Sequence, residues 1–213
     1  MKVNFAAGLA SFSLLAASAV AFADMPTAAD AQCAALADAA RVAALYAVSP
    51  APMTFAAAPQ LKLTEASVAS AIPLDMAVGT AGSAFAAVWD TITRWDGALF
   101  LIMKGGNVFE VSSKVNQGER STKSKYFNLG HDGALSGHLR PDLVSSIYAL
   151  QLPAREGLTR GVMFYDAKGD NIFGVFAGGE GKQPTTAQLA QFGMTWNLIK
   201  GMPRACGVSK PVS

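Results

Sequence analysis

Residues 98–113 read Ala98-Leu-Phe-Leu-Ile-Met-Lys-Gly-Gly-Asn-Val-Phe-Glu-Val-Ser-Ser113. Two apolar runs, 98–104 and 107–113, are joined by Gly105-Gly106. That pattern predicts a β-hairpin, because tight hairpin turns need positive φ and glycine adopts it without strain. The same logic extends towards the C-terminus. The runs 159–166 and 171–177 flank Lys168-Gly169-Asp170, a further hairpin. Strands are also expected at 124–130, 134–140 and 144–151, with His131-Asp132-Gly133 as a turn. Thr185 or Thr186 then caps a last helix to Lys200, stopped by Gly201 and Pro203.

Upstream of residue 98 the period changes from strand to helix. Phe85, Val88, Trp89, Ile92 and Trp95 fall on one face of a predicted helix over 84–95, with Ser83 as its cap. Thr64 caps a shorter helix over 65–71, ended by Pro73. Residues 28–47 are alanine-rich, with Leu36, Val42, Ala43 and Leu45 at near-helical spacing, and predict a helix. Pro50, Pro52 and Pro59 then make the following stretch a linker. Helices, then many hairpins, then a helix predict an α+β fold, a large antiparallel sheet with helices over one face.

Composition divides the chain further. Of its 213 residues 51% are hydrophobic and 15% charged, which excludes a disordered acidic or basic chain. Residues 1–60 hold only five charged side chains (Lys2, Asp24, Asp30, Asp38 and Arg41) beside 23 alanines. Lys2, an apolar run from Phe5 to Val20 and the small-x-small Ala21-Phe22-Ala23 form the pattern of a signal peptide cleaved after Ala23. Ser11, Ser13 and Ser18 weaken the alternative of an uncleaved anchor. The mature protein is therefore expected in the periplasm or outside the cell. The organisation that follows is a signal peptide (1–23), an Ala-rich helix and Pro-containing linker (24–60), an α+β domain (61–200) and a tail (201–213). With Lys2 removed, 16 basic residues face 15 acidic ones. A net charge near zero argues against a nucleic-acid surface or a polybasic membrane surface. No later segment is long and apolar enough to span a membrane.

Cys33 and Cys206 are the only cysteines. In an oxidising compartment two cysteines can close one bridge, here tying the N-terminal helix to the tail; two free buried thiols are the alternative. With two cysteines and two histidines, zinc sites of four cysteines or three histidines are excluded. There is no GxSxG nucleophile elbow and no CxxCH for covalent haem attachment. Gly178-Gly179-Glu180-Gly181-Lys182 imitates a phosphate loop, but Gln183 stands where a Ser/Thr would bind magnesium.

Several segments together say more than these motifs. They are Trp89-Asp-Thr-Ile-Thr-Arg-Trp95, Leu101-Ile-Met-Lys-Gly-Gly-Asn-Val-Phe-Glu110 and Tyr126-Phe-Asn-Leu129. Gly133-Ala-Leu-Ser-Gly-His-Leu-Arg140, Ile147-Tyr-Ala-Leu150, Phe164-Tyr-Asp-Ala-Lys-Gly169 and Ile172-Phe-Gly-Val-Phe176 follow, with Gln188-Leu189 to Phe192 in the closing helix. In this order and spacing, residues 60–198 resemble the haem-utilisation carriers of the ChuX/HutX type. The resemblance implies a HemS/ChuX-like fold with a saddle-shaped antiparallel sheet flanked by helices. It also implies a homodimer, non-covalent b-type haem, and a protein that donates or accepts that haem.

Site residues follow from the resemblance. His138, in Ser136-Gly137-His138, matches a family histidine implicated in haem binding, and an imidazole can present Nε2 to iron. Met103 stands where many relatives carry a second histidine; a thioether is also an iron ligand, and a His/Met pair would raise the potential. Its plainer role is to fill the sheet. After Phe176 relatives read Gly-Arg-Asp, whereas this chain has Ala177-Gly178-Gly179. Lys104, Arg140, Lys123 and Lys125 are the cations left to meet haem propionates. Tyr126 joins the expected cofactor-binding set. Family carriers are generally cytosolic, so export sets this chain apart. Three readings result: a haem or porphyrin carrier that performs no reaction, a haem-modifying enzyme, and a binding module that has lost haem.

Overall fold

The computed structural model describes residues 31–206 except 105, 132 and 179–182. The predicted signal peptide, the start of the first helix and the end of the tail lie outside the described residues. So do the turn residues Gly105 and Asp132 and most of the phosphate-loop imitation.

In chain order the elements are α1 (Leu36–Tyr46), α2 (Thr54–Leu61), α3 (Glu65–Ala71), β1 (Ala77–Ala81), α4 (Phe85–Ile92), β2 (Ala98–Lys104) and β3 (Asn107–Ser113). Then come β4 (Glu119–Arg120), β5 (Phe127–Leu129), β6 (Gly137–Leu139), β7 (Ser146–Pro153), β8 (Leu158–Tyr165), β9 (Asn171–Ala177) and α5 (Thr186–Gly201). Six strands form one antiparallel sheet in the order β1-β7-β8-β9-β2-β3, and β4-β5-β6 form a second, small one. The β2–β3 hairpin has the predicted bounds, with Gly106 at φ 80° in its turn. The β8–β9 hairpin also forms as expected, and Thr185 caps α5 through a reciprocal capping box with Gln188.

The register explains how the sheet becomes a core. Val78, Ala149, Val162, Val175 and Phe100 are successive cross-strand neighbours, so one apolar row crosses five strands. They share a face with Ile147, Phe164 and Phe173, against which α4 and α5 lay Phe85, Trp89, Ile92, Phe192 and Ile199. The α4 stripe and Trp95 are all buried, as their spacing requires.

Both faces of the sheet are covered, whereas helices over one face were expected. Tyr148, Leu150, Leu152, Met163 and Tyr165 point the other way, into a second cluster with Val42, Tyr46, Ala57, Leu61 and Val68 of α1–α3. The proline stretch read as a linker is the reason, because it contains α2. Ala56–Ala58 favour helix, Ala57, Ala58 and Leu61 are buried, and Pro59 falls only two residues before the helix ends. Lys62, at φ 57°, then turns the chain. Inside this cluster the Thr54 hydroxyl donates to Glu65 Oε2 at 3.1 Å and lies 3.2 Å from the Tyr165 hydroxyl. Burial pushes the Glu65 carboxyl above its ordinary range.

Three further details differ from the sequence reading. Strand β1 was not expected. Ser83 sits in a short 3-10 turn ahead of α4 and makes no side-chain cap. The strands expected at 124–130 and 134–140 shrink to three residues each and leave the large sheet. Cys33 and Cys206 are bonded, with Cα atoms 5.7 Å apart. Their bridge fastens the chain ahead of α1 to the segment after α5.

Candidate ligand-binding site

The small sheet sits on the α4 side of the large one. Phe127 and Leu139 pair across β5 and β6 and pack into the α4 cluster, with the Phe127 ring 5.5 Å from that of Phe85 and 5.9 Å from that of Trp89. The Trp89 indole N–H donates to the carbonyls of Asn116 and Gln117, holding the connection into β4. Because strand side chains alternate, the next pair, Asn128 and His138, faces outwards.

His138 is exposed, and its Nδ1 lies 2.8 Å from Asn128 Oδ1. An amide oxygen only accepts, so Nδ1 carries the proton and Nε2 keeps its lone pair towards solvent. An imidazole held in that tautomer by an outer partner is arranged as a metal ligand is. The Tyr126 ring lies 5.6 Å from that of His138, and the Arg140 guanidinium carbon is 5.7 Å from the Tyr126 centroid. Arg140 is already engaged, however. Its Nε and Nη2 donate to the two oxygens of Asp142, both at 2.7 Å, and Lys125 Nζ is 3.9 Å from the same carboxylate. The Arg140 hydrogen bonds hold the Asp142 carboxyl below its usual range. This cation is therefore matched before any propionate arrives, and Lys104, Lys123 and Lys125 are the exposed cations named by the sequence.

Met103 is elsewhere. It alternates in phase with Leu99 and Leu101, which pack with the α1–α3 cluster, while Phe100 between them packs with α4. Met103 and His138 therefore lie on opposite sides of the large sheet within one chain. Tyr126, His138 and Arg140 are brought together; Met103 and Lys104, at the end of β2, do not join them. Cavities of about 680, 620 and 400 Å³ open among the described residues, and none of them is lined by any of these five residues. Asn128 and Asp142 are the partners that sequence reading missed. Only the β5–β6 register, which places Asn128 opposite His138, reveals the first.

Solved structures share this fold. The crystal structure of an Erwinia carotovora protein superposes with a TM-score of 0.67 at 26% identity, covering 74% of this chain and 98% of that one. The haem-binding protein ChuX superposes at 0.66 and 21% identity, over 75% of this chain and 99% of its own. An open antiparallel sheet with helices on both faces is thus the ChuX-like α+β fold. Residues 78–194, more than half of the chain, match the family described as "Haem utilisation ChuX/HutX", and the chain belongs to that family. It is 28% identical over 154 residues to the intracellular heme transport protein HutX of Vibrio cholerae, covering 71% of this chain and 79% of HutX.

Proposed function

We propose that this protein binds haem non-covalently, as b-type haem, and carries or buffers it outside the cytoplasm. The observation that carries this reading is His138, with Nδ1 tied to Asn128 and Nε2 free beside Tyr126. Membership of a haem-utilisation family supports the choice of ligand. His138 is the iron ligand in this reading, Tyr126 flanks the ring, and Lys123 and Lys125, on the same side as His138, answer the propionates by charge, with Lys104 able to do so only from a second copy. Met103 would reach that iron only from a second copy, so a homodimer is the assembly in which it ligates. The same proposal includes a protein that gives haem to this one or takes it away.

Export separates it from the Vibrio relative, whose name places that protein inside the cell. The bonded Cys33 and Cys206 support the choice, because structural disulfides persist in oxidising compartments. Intact-mass analysis of a periplasmic extract should find a chain beginning at Asp24 with both cysteines oxidised. A reduced chain confined to the cytoplasm would refute this part. Hemin loaded on the mature protein should pass to apomyoglobin on mixing, and hemin that stays put would refute carriage.

A second reading has one observation behind it. With Met103 on the far side of the sheet, His138 leaves the other axial position open, as a haem-modifying enzyme needs. Loss of the haem spectrum with ascorbate, catalase present, and a bilin-like product would select it.

A further inference from the structure

The bridged cysteines line a groove of about 680 Å³ at β1, an edge strand of the large sheet. Each is held there by bonds of its own. The Ala34 N–H donates to Ser70 Oγ at 2.9 Å and fixes the Cys33 segment to α3. The Thr80 hydroxyl donates to the Pro203 carbonyl at 2.9 Å and fixes the segment after α5 to β1. Neither bond depends on the bridge, so the two sulfurs stay neighbours when it opens.

The sulfurs are not equivalent. Cys33 is exposed and Cys206 is half-buried, and the Tyr148 hydroxyl donates to Cys206 Sγ at 3.4 Å. The register supplies that donor. Tyr148 stands opposite Gly79 across β1 and β7, where a Cβ would collide with the ring. Bare backbone lets the ring lie over β1 and carry its hydroxyl to the sulfur. Burial pushes the Tyr148 hydroxyl well above its ordinary range, so it keeps its proton and remains a donor. Lys200 and Arg204 also line the groove, against the single carboxylate Asp75. Neither cation has an ion pair or hydrogen bond among the described residues. Positive charge and a donated O–H both favour a thiolate on Cys206. Leu36 and Leu74, 64% and 56% exposed, give the same groove apolar contacts that suit a protein partner.

We propose that this bridge is a thiol–disulfide exchange site, where a protein dithiol bonds to Cys33 and Cys206 is the sulfur that leaves. The partner's thiolate attacks Cys33 Sγ, the bridge breaks, and its electron pair stays on Cys206. The partner's second thiolate then displaces Cys33 from the mixed disulfide. This protein gains two electrons and two protons, and the partner, having lost them, departs as a disulfide. The reverse sequence closes the bridge. Because the bridge fastens the chain ahead of α1, exchange sets how firmly the α1–α3 layer is clasped. The proposal goes beyond the haem reading and does not rest on it.

The oxidised, haem-free mature protein is reduced under native conditions by a thioredoxin and by dithiothreitol, and free thiols are counted by maleimide gel shift. Reduction should outpace global unfolding. Tyr148→Phe keeps the ring and should slow both reagents about fivefold, through the poorer leaving sulfur. Leu74→Asp should slow thioredoxin at least threefold more than dithiothreitol. After brief reaction with glutathione and a maleimide quench, peptide mapping should find glutathione on Cys33 and maleimide on Cys206. Glutathione on Cys206, a rate unchanged in Tyr148→Phe, or reduction only as fast as the protein unfolds overturns the proposal. Hemin takes no part in these measurements. Their failure leaves the haem reading standing, and a missing Soret band leaves the exchange site standing.

Discussion

The two faces of the six-stranded sheet share their strands but not their chemistry. On the α4–α5 face the aromatic rings interlock. Phe164 stacks on Phe173 at 4.4 Å between ring centroids, and Trp89 meets Phe173 edge-on at 6.2 Å. On the other face small alanines of α1–α3 press against tyrosines over β1 and β7, a disulfide ties the chain ends, and the floor over β9 and β2 stays open. One face is closed by large side chains packed ring against ring. The other is closed by short helices that cover only part of it, and so it retains a groove.

This contrast orders the expected effects of substitution. Phe164→Ala empties the centre of the closed face and should cost about 4 kcal/mol, read by denaturant unfolding. A loss under about 1 kcal/mol would mean that face is not the main core. Removing the bridge with Cys33→Ser and Cys206→Ser should cost about 3 kcal/mol, and should raise proteolysis in α1–α3 before the sheet. Equal proteolysis throughout would deny that the bridge serves that face. Gly174→Ala puts a methyl under Met163 and Phe176; overpacking there should cost about 1 kcal/mol, less than full core strain because a thioether can swing aside.

Glu65→Gln is the smallest and carries a sign. With its carboxyl raised by burial, the folded chain holds that proton more tightly than the unfolded chain does. Stability from this group is thus greatest below the ordinary glutamate range and falls as pH rises through the raised value. Glutamine keeps the acceptor for Thr54 without the charge, so the variant should melt above wild type at pH 7 and match it more closely at pH 4. A lower melting temperature at pH 7 would show that the charge is stabilising.

What was legible in the sequence was local. The β2–β3 and β8–β9 hairpins and the capped α5 announce themselves through turn and cap residues within a few positions. Strand β1 did not, since Ala77–Ala81 has Gly79 at its centre and becomes a strand only by pairing with β7, some 70 residues on. Helix α2 was hidden by Pro59, whose cost falls in the last turn while its alanines are buried. For the candidate site, His138 and Tyr126 were named from the family resemblance and do adjoin. The Arg140–Asp142 pairing and the opposite facing of Met103 depend on tertiary placement. The Tyr148 hydroxyl reaches Cys206 because the β1–β7 register sets its ring opposite Gly79, which no single stretch of sequence states.

His138 lies outside both faces, on an exposed strand whose loss should change stability by less than about 0.5 kcal/mol. Its effect on the ligand should be complete, which makes it the sharpest probe of the account. Hemin titrated into the mature protein should give a saturable one-to-one Soret band in wild type, a band that persists in Met103→Leu because His138 still holds the iron, and a lost or shifted band in folded His138→Ala. A band in His138→Ala identical to that of wild type would contradict the assignment of His138 as the iron ligand. No band in any of the three would contradict haem binding itself.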